Sequence, residues 1–122
     1  MTQLVLRSSA LPISPDTTVA SVAGEIDIST VPELHDFLLR IPCRNTIVEM
    51  SGVTLLGAAG LAELLELRER LHHAGACVVL ARAPACVLRI LAVTGLGLAL
   101  VTAPTLSAGV KALTAGHSGS RY

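Results

Sequence analysis

The chain has 122 residues, nine Lys+Arg against nine Asp+Glu, and 52% hydrophobic against 15% charged residues. That is one folded domain, too short for two and too apolar for a disordered segment. Net charge is zero, no run of five basic residues occurs, and Phe37 and Tyr122 are the only aromatics, so neither nucleic acid nor a polybasic membrane contact is expected.

In chain order, Gln3 to Arg7 reads as a first strand and Leu11 to Asp16, with two prolines, as a turn. Thr17 to Ile26 reads as a second strand, so the chain opens on an antiparallel hairpin. Thr30-Val31-Pro32-Glu33 predicts a capping box, with Thr30 accepting from the Glu33 amide, ahead of a helix over 31–41 that Pro42 ends. Thr46 to Met50 is a third strand, and Ser51 to Leu56 an apolar connection. Gly57 to Gly60 opens a helix to about His73, with Leu61, Leu64, Leu65, Arg68 and Leu71 on one stripe and Glu66 paired to Arg70. Gly75 suits a left-handed C-cap.

Ala76 to Ala81 is a continuous apolar run, as in a strand covered on both faces. A helix follows from Pro84 to about Val93, then a strand over 98–101, then a helix from Thr105 to Leu113. The order β-β-α-β-α-β-α-β-α predicts an α/β fold: a mixed sheet with an N-terminal hairpin and about four helices packed against it. The domain spans 1–113, and 114–122 forms a flexible tail.

Mean hydropathy is +0.67. The longest uncharged stretch, Ile90 to Val110, is broken by glycines and Pro104, so no membrane-spanning helix is expected. No signal-peptide layout is present, and a cytoplasmic location follows.

Catalytic signatures are missing: no Walker loop, no GxSxG, no HExxH. His35, His72, His73 and His117 fall on helix surfaces or in the tail, and the adjacent pair His72-His73 does not share a face for a metal. Cys43, Cys77 and Cys86 have no metal-ligand spacing; Cys86, near a helix start, is the candidate redox thiol. No enzyme activity, cofactor or metal is expected. Gly57-Ala58-Ala59-Gly60 is the most informative stretch, because a helix start built from small residues turns backbone N–H groups outward and permits close approach. Glu25 and Asp27 lie beside the start of the preceding helix, where negative charge is favoured.

Gly24 to Ile28, Ile47 to Val53, the small-residue turn at Gly57 to Gly60 with Leu61 beyond it, Ala83-Pro84 and Thr94-Gly95-Leu96 together resemble a STAS domain. The order and spacing match over about residues 1–113, most closely the bacterial anti-sigma factor antagonists. The resemblance implies a non-enzymatic domain that binds an anti-sigma factor, itself a serine kinase, and thereby frees a sigma factor for transcription. It implies a partner surface of Asp27, Ser29, Thr30, Gly57, Ala58, Ala59, Gly60 and Leu61. In the family, phosphorylation of a Ser in an Asp-Ser-Ser-Gly-like motif breaks the complex. Here Ala58 stands at the acceptor position, Gly57 at the preceding Asp and Ala59 at the following Ser. A methyl group accepts no phosphoryl group, so that switch is missing. The alternative is a STAS-type accessory subunit of a lipid-transport ABC ATPase complex.

Overall fold

The computed structural model describes residues 4–11 and 14–114. Its elements are β1 (Val5–Leu11), β2 (Ser14–Ile26), α1 (Val31–Leu39), β3 (Thr46–Leu56), α2 (Ala58–His73), β4 (Val78–Ala81), α3 (Ala85–Thr94), β5 (Thr102–Ala103) and α4 (Leu106–Thr114). The five strands form one sheet in the order β1-β2-β3-β4-β5. β1 is antiparallel to β2, and the β2–β3, β3–β4 and β4–β5 pairs are all parallel. This is the mixed α/β sheet with an N-terminal hairpin that the element order predicts.

Three crossovers that advance the same way along the sheet bring α1, α2 and α3 to one face, as right-handed connections require. Leu34, Leu38, Leu64, Leu67, Leu71, Val87 and Leu91 from these helices pack with Val48, Met50, Val78 and Leu80 of the sheet. The alternate side chains Ile47, Val79 and Ala81 point to the opposite face, where Leu113 of α4 covers them. All four residues of β4 are buried, so the continuous apolar run does mark a strand covered on both sides. The helix stripe differs in one member: Leu67 is fully buried, whereas Leu65 and Arg68 are half-buried.

Several boundaries move. Leu11 pairs with Ser14, so Ser14 to Asp16 belong to β2 rather than to a turn. Ser51 to Leu56 is no connection but the second half of β3, paired to β2 from Ala23 to Ile26 across two register shifts. Those shifts turn the expected alternation into a buried-exposed-exposed rhythm over Met50 to Leu56, which hides the strand from a period-two reading. The strand expected over 98–101 is replaced by a 3-10 turn (Leu96–Leu98), whose Leu96 carbonyl accepts the Ala99 and Leu100 N–H groups; pairing resumes only at Thr102. Thr114 is the last residue of α4 rather than the first of a tail, and the remainder of the expected tail, with His117, lies outside the described residues. Gly75 does adopt the left-handed conformation (φ 77°). Its N–H donates to the His72 carbonyl and that of Ala76 to the Leu71 carbonyl, closing α2 in a Schellman motif. Among the described residues no helix is long and apolar enough to cross a membrane.

Candidate functional site

The C-terminal ends of β2 and β3 deliver two short connections to the same edge of the sheet, the place where open α/β sheets present their loops. The first runs from Asp27 to Thr30. The capping box expected there does not form: Thr30 makes no side-chain cap bond to the Glu33 amide. Its hydroxyl points backward, donating to the Glu25 carbonyl at 2.8 Å and accepting the Asp27 N–H at 3.0 Å. Asp27 closes the turn ahead of the helix. Its Oδ1 accepts the Ser29 N–H (2.9 Å), the Ser29 hydroxyl (2.6 Å) and the Thr30 N–H (3.3 Å). The Ser29 hydroxyl, then the backbone amides, hold the Asp27 carboxyl below its ordinary value of 3.8, so it is charged at neutral pH.

The second connection is Gly57 alone, the N-cap of α2 in extended conformation. Its N–H donates to the Ile26 carbonyl at 2.8 Å, tying the two connections together. A Cβ on Gly57 would lie 3.4 Å from that same carbonyl oxygen, and one on Gly60 would lie 2.3 Å from Ile26 Cγ2 and 2.9 Å from Leu56 Cδ1. The small residues therefore serve first to seat α2 directly on the end of β2. Ala58 is then the first helical residue and is exposed, while Ala59 is half-buried. The Leu61 N–H is the first to find an intrahelical carbonyl, that of Gly57. The amides of Ala58, Ala59 and Gly60 precede it and so have no partner within the helix.

The eight residues expected at the partner surface thus do lie together, but in two layers. Ala58 and Ser29 face outward, with Asp27, Gly57 and Ala59 partly so; Thr30, Gly60 and Leu61 are buried beneath them. One neighbour escaped the sequence reading. Ile28, between Asp27 and Ser29, is 84% exposed. Its large aliphatic side chain stands out from a hydrogen-bonded turn. Its only sequence signal was an Ile inside a polar turn.

Cys86 lies on α3, half-buried, with its thiol 3.7 Å from the Val53 carbonyl oxygen. It lines a groove of about 300 Å³ with Leu55, Leu56, Arg89, Ile90 and Val93. Cys43, Cys77 and Cys86 are all free thiols.

A second constellation lies where α1 crosses α2. His35 Nδ1 is 2.7 Å from Glu63 Oε1 and 4.0 Å from Glu66 Oε2. Glu63, through hydrogen bonding and charge, raises the imidazole above its ordinary value of 6.5, with smaller contributions from Glu66 and Asp36. Glu66 does not pair with Arg70, as the helical spacing had suggested. Arg70 instead donates to the Ile41 carbonyl at 3.0 Å and to the Leu38 carbonyl, closing the C-terminal turn of α1. The half-exposed His35 is therefore not a merely solvated helix residue.

Comparisons with known proteins agree with the fold. The family model described as Mlab, STAS domain matches residues 9–102. No curated protein gives a significant sequence match. Among solved structures, an anti-sigma factor antagonist from Mycobacterium paratuberculosis is 26% identical, with a TM-score of 0.75 over 92% of this chain and 95% of that one. The anti-sigma factor antagonist SpoIIAA in its unphosphorylated form superposes with a TM-score of 0.69 at 14% identity, covering 93% of this chain and 98% of that one. The murine anion transporter Slc26a9 carries the same fold as a part: the TM-score is 0.72 at 12% identity, over 94% of this chain but 22% of the transporter.

Proposed function

The chain belongs to the STAS domain family, and on that premise we propose that it is an anti-sigma factor antagonist: a non-enzymatic cytoplasmic adaptor that binds an anti-sigma factor of the serine-kinase type and so releases a sigma factor. The observation that carries the reading is the exposed methyl of Ala58 at the first turn of α2, beside the projecting side chain of Ile28. This rim is apolar and small, and it offers the backbone amides at the helix start. A partner meets it with an aliphatic contact over Ile28 and with acceptors for the free amides. Asp27, Ser29 and Thr30 hold the turn in shape, and Gly57, Gly60 and Leu61 fix where the helix begins. The 26% identity to the mycobacterial antagonist over nearly the whole of both chains supports the same role.

Phosphorylation at the helix start would add about two negative charges and three acceptor oxygens to such an interface. Ala58 cannot carry them. Of the neighbouring hydroxyls, Ser29 donates to Asp27 and the buried Thr30 to Glu25. The adaptor stays competent to bind whatever the kinase does. The test is affinity purification with an anti-sigma factor kinase of the same cell, followed by incubation with ATP. Capture of the kinase, with no phosphate incorporated and no release, supports the reading. A protein that captures no anti-sigma factor, or that is labelled and ejected, overturns it.

A second reading has one specific observation behind it: the family model is described by the name Mlab rather than as an antagonist. There the same rim would seat the STAS subunit on the ATPase of a lipid-transport ABC complex. Co-purification of an ATPase in place of a kinase decides for it.

A further inference from the structure

We propose that the crossing of α1 and α2 is a binding site for a divalent transition-metal ion of the zinc type, ligated by His35 Nδ1 and one carboxylate oxygen each from Glu63 and Glu66. One ligand atom from each of the three residues lies within 4.8 Å of the others. Tetrahedral Zn–N and Zn–O bonds of about 2.0–2.2 Å place ligand atoms roughly 3.3 Å apart. The observed separations of 2.7 Å and 4.0 Å from Nδ1 bracket that value, and with all three atoms within 4.8 Å of one another, closure of the widest pair by at most about 1.5 Å brings the set onto one ion.

The fold supplies the arrangement. Glu63 and Glu66 are three residues apart and share a face of α2, while His35 comes from the facing side of α1. The three line a depression of about 150 Å³ with Leu38, Leu39, Leu67 and Arg70. Its walls are largely aliphatic, and its mouth leaves the remaining coordination positions to water. The Arg70 guanidinium, the one cation of the depression, is engaged by the carbonyls of Ile41 and Leu38. Two carboxylates, a neutral imidazole and the Arg70 guanidinium leave a net negative charge, which attracts a divalent ion. The imidazole nitrogen selects zinc, cobalt or nickel over magnesium and calcium, which prefer all-oxygen shells.

Metal binding forms the Nδ1–metal and carboxylate–metal bonds in place of the Nδ1–Glu63 hydrogen bond, and a proton on Nδ1 moves to Nε2 or, where Nε2 already carries one, to solvent. The site is independent of the partner rim and stands whether or not the chain is an antagonist.

Calorimetric titration of the full chain with zinc chloride tests it, with cobalt(II) absorption spectra reporting the ligand set. The expected result is one saturable site, with affinity at least about tenfold weaker in His35→Ala and Glu63→Gln. Glu66→Gln alters a mostly exposed side chain and so keeps the fold; it too weakens binding. His72→Ala with His73→Ala leaves binding unchanged. The proposal is overturned if the native chain does not bind zinc, if the three variants bind as well as the native chain, or if the cobalt complex shows a thiolate charge-transfer band that Cys43→Ser removes.

Discussion

Arg70 Nη1 donates to the carbonyl oxygen of Ile41 at 3.0 Å, bridging 29 residues of sequence and closing the end of α1 with a side chain from α2. α1 ends at Leu39 with no basic residue in its own last turn. The guanidinium supplies the positive charge and donors that such a terminus favours, and its second nitrogen reaches the Leu38 carbonyl. Arg70→Met, which keeps the apolar stem, is expected to cost about 1–2 kcal/mol in urea unfolding. Arg70→Lys recovers only part of that, because one ammonium does not span both carbonyls as the planar fork does.

Gly60 has no room for a side chain. The 2.3 Å approach to Ile26 Cγ2 involves a fully buried residue that cannot swing away. Gly60→Ala is expected to destabilise by about 1–3 kcal/mol through overpacking. Gly97→Ala, where nothing lies within 4 Å of the added carbon, changes the midpoint little. Equal midpoints for the two variants would show that α2 does not sit against β2 as described.

Thr30 and Glu33 separate the two accounts of the α1 start. The Thr30 hydroxyl is buried and bonded on both sides, so Thr30→Val removes about 1–3 kcal/mol while Thr30→Ser restores most of it. A capping box would make Glu33→Ala costly as well. The observed geometry leaves Glu33→Ala only the charge–dipole loss of about 0.3–1 kcal/mol, smaller than that of Thr30→Val in the same unfolding series.

Ala58→Glu separates folding from binding. Negative charge at the first turn of α2 agrees with the helix dipole, so stability stays level or rises by about 0.3–1 kcal/mol. Affinity for the anti-sigma partner is expected to fall by about 1 kcal/mol or more, because a carboxylate is desolvated against an apolar contact. Unchanged affinity in a calorimetric titration would place the interface elsewhere.

His35 makes the contact between α1 and α2 sensitive to pH. Its folded-state value is raised, so the stability it contributes is fully present below about 6.5, the ordinary histidine value, and is lost as pH climbs through the folded value. With a chelator present, the native chain and His35→Gln are expected to differ most in unfolding midpoint at mildly acid pH and to converge under alkaline conditions. A gap that widens with rising pH would carry the wrong sign.

Local chemistry was legible in the sequence where one segment answers to itself. The Gly75 C-cap depends on neighbours within a few residues, while the doubly covered β4 and the small-residue start at Gly57 left their mark in composition, as an unbroken apolar run and a cluster of small residues. Most of what escaped was set by partners far along the chain, and Thr30 by a choice between near neighbours on either side. The second half of β3 is strand because β2 runs beside it, with bulges that break the alternation. Thr30 turned from the Glu33 amide because the Glu25 carbonyl and Asp27 amide came within reach. Arg70 left Glu66 for carbonyls on another helix, and Glu66 was drawn toward His35. Propensity scales contain none of these meetings. The rim itself was half legible: its small residues stood out, but Ile28 was apolar in a place where only its exposure gives it meaning.

The sheet is dressed unevenly, and that sets an order of release. Three helices shield one side, whereas on the other the nine residues of α4 lie over Ile47, with Gly109 close enough that an added carbon would sit 3.5 Å from its Cδ1. β5, which adjoins α4, holds to its neighbour through two residue pairs. Amide exchange should therefore begin with α4 and β5 peeling away as a unit, while the strands under α1 and α2 keep their protons until the whole molecule opens. The rim at Gly57 lies between strands of the slow part, so it would outlast the release of β5 and α4.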